Sequence, residues 1–101
     1  SEWKDLYAVR CKMAIELAKM WNGKVIFIPE LLSKKSIYYK SICEMHDVMK
    51  KVSENNKNSL FLDLRDEIEI DKNNFIDNLH FTKLGCDKFS GMLYNNIDKI
   101  L

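Results

Sequence analysis

Val25-Ile26-Phe27-Ile28, closed at once by Pro29, is apolar at every position and rich in β-branched and aromatic side chains. Such a run reads as a short strand covered on both faces, the burial that parallel sheets impose. Proline ends it because it offers no N–H to a ladder. Leu60-Phe61-Leu62-Asp63-Leu64 gives a second strand signal further along. Residues 2–22, before the first strand, read as a helix. Trp3, Leu6, Tyr7, Met13, Ala14, Leu17 and Trp21 recur there at three- and four-residue steps. Ser1 fits as its cap, and Gly23 as the left-handed residue that stops it. On this spacing Trp3 and Trp21 belong to the core. Residues 33–53 read as a second helix, with Tyr38, Ile42, Met45, Met49 and Val52 along one face that is expected to be core. Asn55-Asn56-Lys57-Asn58 is a polar turn, and the acid-rich stretch 65–71 is a solvated loop or short helix. Residues 83–101 read as a closing helix capped by Thr82, with Leu84, Phe89, Met92, Leu93, Ile97, Ile100 and Leu101 as its apolar side.

The order is therefore helix, strand, helix, strand, loop, helix. This alternation predicts an α/β fold with parallel strands joined by right-handed crossovers. Two strands make a poor sheet, since sheets usually hold about four to six. Residues 1–101 are thus expected to be a single domain or the C-terminal part of one. The missing strands would come from elsewhere in the same chain, from another chain, or from pairing across a dimer.

Composition bounds the function. In 101 residues, 47% are hydrophobic and 31% charged, which suits one modest core. Sixteen basic and fifteen acidic residues leave a net charge of +1. No global field then points to nucleic acid or an anionic membrane. No run of about 18 apolar residues occurs, so no membrane span is expected, and no signal peptide is visible. The three cysteines, Cys11, Cys43 and Cys86, are far apart and form no C-x-x-C. They read as free, buried, reduced thiols, which favours a cytoplasmic setting.

The chemistry concentrates in Phe75-Ile76-Asp77-Asn78-Leu79-His80-Phe81-Thr82-Lys83-Leu84-Gly85. A carboxylate three residues before an imidazole, on a tight turn, can accept the Nδ1–H of the ring. That bond fixes the tautomer, leaves Nε2 as the proton acceptor and stabilises the imidazolium that forms. Thr82 would hold the start of the next helix, and Gly85 would let that helix pack close to neighbouring backbone. In open α/β sheets reactive groups collect beyond the carboxyl ends of strands, and this stretch follows the second strand. The plainer reading of Asp77 and His80 is a capping carboxylate and a surface histidine. His46 reads as a helix-surface residue. Cys43 and His46, with Cys86 and His80 far away, lack the paired spacing of zinc ligands. The acidic run 66–71 lacks the calcium-loop pattern. No metal and no cofactor are implied.

Asp77-Asn78-Leu79-His80-Phe81-Thr82-Lys83-Leu84-Gly85 resembles the last block of the SGNH (GDSL-type) hydrolases, where Asp-x-x-His supplies the acid and base of a catalytic triad. Val25–Pro29 resembles that family's late strand ending in proline. Leu60–Leu64, with Asp63 in the acidic position, resembles its final strand, and the helix after His80 resembles its closing helix. The resemblance covers nearly all of this chain but only the C-terminal half of the family's domain. It implies the C-terminal portion of a flavodoxin-like three-layer α/β/α domain with parallel strands, and Asp77 and His80 as catalytic residues. It implies a serine esterase or acyl hydrolase for a small ester, such as a glycan O-acetyl group or a lipid ester, or an acyltransferase using the same triad. The family's nucleophile lies in a Gly-Asp-Ser stretch, with oxyanion donors in two further upstream blocks. None of the seven serines here stands in that context or in G-x-S-x-G. The resemblance therefore implies a partner: the N-terminal half of the same domain, in cis or as a separate chain. The alternative is a non-catalytic α/β interaction or scaffold domain.

Overall fold

A computed structural model describes residues 1–77 and 79–100. Asn78, inside the Asp-x-x-His stretch, and Leu101, expected on the apolar side of the closing helix, lie outside the described residues. The elements are α1 (Glu2–Met20), β1 (Val25–Phe27), α2 (Tyr39–Glu54), β2 (Ser59–Phe61), α3 (Lys83–Asn95) and α4 (Ile97–Ile100). The fold is mixed α/β, and its two strands are parallel. The chain divides into two units, Ser1–Ile28 with Lys40–Leu62, and Pro29–Tyr39 with the residues from Asp63 onward.

In the first unit β1 and β2 pair with Val25 opposite Ser59, Ile26 opposite Leu60 and Phe27 opposite Phe61. Val25 N–H to Asn58 O (2.9 Å) and Leu62 N–H to Phe27 O (2.9 Å) extend the ladder past both ends. α2 is the crossover between the strands. Cys11 and Ile15 of α1 and Val52 of α2 form the core, with Tyr7, Ala8, Val48, Val25 and Phe27 around them. α1 stops as expected in kind but one residue early. Asn22, not Gly23, is the left-handed residue (φ 54°). Asn22 N–H donates to Lys19 O at 3.1 Å and Gly23 N–H donates to Ala18 O at 2.8 Å, the pair of hydrogen bonds of a Schellman stop. At Gly23, one position on, a Cβ would lie 3.3 Å from the Ala18 carbonyl oxygen, a tight contact. Ser1 precedes the helix without a side-chain cap bond.

The covered face of α1 is not the expected one. Leu6, Met13 and Leu17 are more than half exposed, Trp3 is 41% exposed and Trp21 83%. The helix carries two apolar stripes. The one that is covered, Tyr7-Ala8-Cys11-Ile15, shares one cluster with Val48 and Val52 of α2 and with Val25 and Phe27 of β1. Ile15 is fully enclosed. Ile15→Ala should therefore remove about 3 kcal/mol of stability, read as a lower urea midpoint at unchanged slope.

α2 begins at Tyr39, not at residue 33, because two serines divert the backbone. Ser33 Oγ accepts from Lys35 N–H at 3.1 Å and Ser36 Oγ from Tyr38 N–H at 3.2 Å, local turns that compete with a helix. Tyr38 is consequently exposed at 63%. His46 is 3% exposed, not a surface residue. His46 is not without an interaction in that buried position. The fully buried side of α2 runs through His46, Val52 and Ser53, a rotation of the stripe that Met45 and Met49 suggested.

In the second unit Leu31, Ile68 and Phe75 are buried, with Ile70, Phe81, Phe89 and Met92 packed on them. Ile68 anchors the acid-rich loop. Phe81 stacks between Phe75 and Phe89, with ring centroids 4.8 and 5.4 Å away. The closing helix breaks at Asn96, whose backbone N–H is shared between Met92 O (3.2 Å) and Leu93 O (3.1 Å) while its side-chain amide also donates to Met92 O at 2.7 Å. Leu84 and Ile97, expected on the apolar side, are 48% and 40% exposed. Among the described residues no helix is long and apolar enough to cross a membrane.

Candidate active site

The turn that carries His80 is pinned at its base and crossed by hydrogen bonds. Phe75 and Phe81 form an isolated antiparallel bridge. Ile76 N–H donates to His80 O at 2.8 Å. Asp77 Oδ1 accepts from Leu79 N–H at 2.8 Å and from His80 N–H at 2.7 Å. An aspartate bonding backbone two and three residues ahead is the chemistry that makes such turns.

The same carboxylate holds the ring. His80 Nδ1 lies 2.8 Å from Asp77 Oδ2 and 3.1 Å from Oδ1. The structure thus brings the two sequence-predicted site residues together, on one exposed turn with side chains 54% (Asp77) and 69% (His80) accessible. With Nδ1 engaged by a carboxylate, Nε2 is the nitrogen left to exchange protons. The His80 backbone N–H, the ring and the Leu79 N–H, in that order, hold the Asp77 carboxyl down at about 2, against an ordinary value of 3.8. Its folded value lies below its unfolded one. The stabilisation it gives is therefore full above about pH 4 and is lost as pH falls through about 2. A ¹³C titration of the Asp77 carboxyl should show its midpoint near 2. A midpoint at 3.8 would mean that these donors are not engaged.

The backbone behind His80 is fixed from the other side. Thr82 caps α3, its Oγ1 accepting from Gly85 N–H at 3.1 Å and donating to Asn73 O at 2.6 Å. Thr82 N–H donates to Asn74 O at 2.8 Å. Gly85 packs so tightly on that same Asn74 carbonyl that no side chain fits between them. Asn73 and Asn74 were not singled out in the sequence. Their signal was Asp71, whose Oδ1 accepts from both their N–H groups and turns the chain toward α3. Asn74 is 2% exposed and its amide donates to Glu69 O at 2.9 Å.

Among the described residues no group of three His, Cys, Asp or Glu side chains is placed to hold a metal ion. Cys11 is buried, Cys43 half-buried and Cys86 exposed, so the expectation of three buried thiols holds for Cys11 alone. Burial raises the Cys11 thiol, against a hydrogen bond from Tyr7 that lowers it. No family model, no curated protein and no solved structure matches this chain.

Proposed function

We propose that this chain is the C-terminal part of a three-layer α/β/α hydrolase domain of the SGNH type, and that it supplies the Asp–His half of a Ser-His-Asp triad. The observation that carries the proposal is the 2.8 Å contact between Asp77 Oδ2 and His80 Nδ1 on an accessible, hydrogen-bonded turn. In the reaction His80 Nε2 takes the proton of a serine hydroxyl as that oxygen attacks the ester carbonyl. The imidazolium then gives the proton to the leaving alkoxide. Water, activated by the same nitrogen, releases the acid. Asp77 remains ionised throughout and holds the ring in the productive tautomer. The serine and the oxyanion donors come from the other half of the domain, in cis or as a second polypeptide. The substrate class is a small ester, a glycan O-acetyl group or a lipid ester. An acyltransferase would use the same pair, with an alcohol replacing water in the second half.

The test is turnover of p-nitrophenyl acetate by the product of the complete natural reading frame, beside its His80→Ala variant. Equal turnover by the two overturns the proposal. Acyl transfer to an added alcohol in preference to water would select the transferase form.

A further inference from the structure

We propose that the exposed stripe of α1 is the contact surface of a homodimer, in which a second copy of this chain lays its own α1 antiparallel on the first, about a two-fold axis at Met13. Neither the place nor the partner depends on the hydrolase reading.

α1 has two apolar faces. Tyr7, Ala8, Cys11 and Ile15 carry the core of their own unit. Leu6, Val9, Met13, Leu17 and Met20 are 50–76% exposed. At about 100° per residue these five fall within roughly 40° of Met13, and Cys11 and Ile15 point about 160° away from it. The stripe therefore faces away from the core, where another helix can approach it. Helices crossing at about 20° stay in contact along such a stripe. With Trp3 and Trp21, 41% and 83% exposed, it presents on the order of 800 Å² of largely apolar surface. That is one partner's share of a standard interface and more than a monomer usually shows in one patch.

The symmetry of the pattern marks the occupant as a second copy. Val9 and Leu17 stand four residues either side of Met13, and Leu6 and Met20 seven. A two-fold contact needs a surface that matches itself under the rotation. Antiparallel pairing about Met13 sets Leu6 level with the partner's Met20 and Val9 level with the partner's Leu17. The Met13 side chains of the two copies meet on the axis.

The borders of the stripe match as well. Trp3 and Trp21 both lie about 80° to one side of Met13. Asp5, Lys12, Glu16 and Lys19, all exposed, lie to the other side. The rotation keeps each border against its own copy. At a rise of about 1.5 Å per residue, Trp3 then comes within about 3 Å in height of the partner's Trp21. Lys12 comes as near in height to the partner's Glu16, and Asp5 to the partner's Lys19. Glu16 also pairs with Lys19 of its own helix at 3.0 Å, so these charges form one network along the border. Arg10, on the tryptophan border, stays about 9 Å in height from the partner's Arg10. Parallel pairing does the reverse. It turns the tryptophan border of one copy to the charged border of the other, and brings Arg10 within about 3 Å in height of the partner's Lys12. Charge complementarity thus selects the antiparallel form.

Light scattering on the complete gene product over a wide range of concentration tests this, with circular dichroism as the check on folding. The particle mass is expected to approach twice the chain mass as concentration rises, with tryptophan emission shifting to the blue in step. Met13→Glu sets two carboxylates face to face on the axis and should raise the dimer Kd at least about 100-fold. Circular dichroism should not change, because the side chain is 58% exposed in the single chain. Lys12→Glu meets the partner's Glu16 with a like charge and should raise Kd about 10-fold, and adding Glu16→Lys should restore it. A product that stays a monomer at every concentration overturns the proposal. So does a monomer that Met13→Glu unfolds, since another part of the same chain then covers the stripe. A dimer that survives Met13→Glu overturns it by placing the contact on another surface, and a dimer that Lys12→Glu leaves intact overturns the antiparallel register.

Discussion

On the proposed hydrolase reading, His80→Ala in the complete gene product is expected to lower kcat/KM for p-nitrophenyl acetate on the order of 10⁴-fold, without an equal rise in KM. The loss falls on kcat because the imidazole acts on a proton that moves only as the ester carbonyl is attacked. A side chain that merely bound substrate would raise KM instead. Stability should change little, since the ring is 69% exposed and its backbone N–H, not its side chain, closes the turn. Asp77→Asn separates the two jobs of the carboxylate. An Asn Oδ1 can still accept from the Leu79 and His80 N–H groups, so the turn survives. Its amide, however, offers Nδ1 a donor and favours the wrong tautomer of the ring. Turnover should then fall about 10³-fold with circular dichroism unchanged. Asp77 is in this sense a positioning residue, and the pH profile is the readout a purely structural role would not move. In Asp77→Asn the alkaline plateau of kcat should drop, because the imidazolium has lost its counter-charge. Full turnover in Asp77→Asn would reduce the carboxylate to a cap, and full turnover in His80→Ala would end the hydrolase reading.

Much of this arrangement was legible in the residues, and the parts that were not share a cause. The two strands and their parallel sense follow from runs apolar at every position, separated by a helix-length segment. The Asp77–His80 contact follows from a three-residue spacing on a turn, which is local and owes little to tertiary structure. What periodicity could not give was the choice between two apolar stripes on α1. Tyr7, Ala8, Cys11 and Ile15 are less hydrophobic as a set than Leu6, Met13, Leu17 and Trp21, yet they are the ones packed on the core. Spacing identifies faces, and packing partners decide which is covered. The buried His46 was missed for the same reason. Its polarity argued for the surface, yet it lies on the buried side of α2. The start of α2 moved where short polar side chains compete with the backbone, at Ser33 and Ser36.

The tie between the His80 turn and α3 gives a stability effect as large as that expected at Ile15. At Gly85 an added Cβ would overlap the Asn74 carbonyl oxygen and lie 2.8 Å from Phe81 Cδ1. The obstacle is backbone and a core ring, neither of which can swing aside as the end of a flexible side chain would. Gly85→Ala must therefore displace Asn74, whose carbonyl also receives Thr82 N–H. A loss of about 3 kcal/mol is expected, a fall of roughly 15 °C in Tm for a chain of this size. Gly91, on the same helix, is the control. A Cβ there meets nothing within 4 Å, and the residue is exposed. Gly91→Ala should raise stability by about 0.5–1 kcal/mol, through helix propensity alone. Opposite signs from one substitution on one helix would place the constraint at the Asn74 contact and not in α3 as a whole. If Gly85→Ala also lowers the ester turnover proposed for the complete gene product, below its melting range, the aim of His80 depends on that contact. If the two glycines respond alike, the close approach of α3 to the His80 turn is not what fixes it.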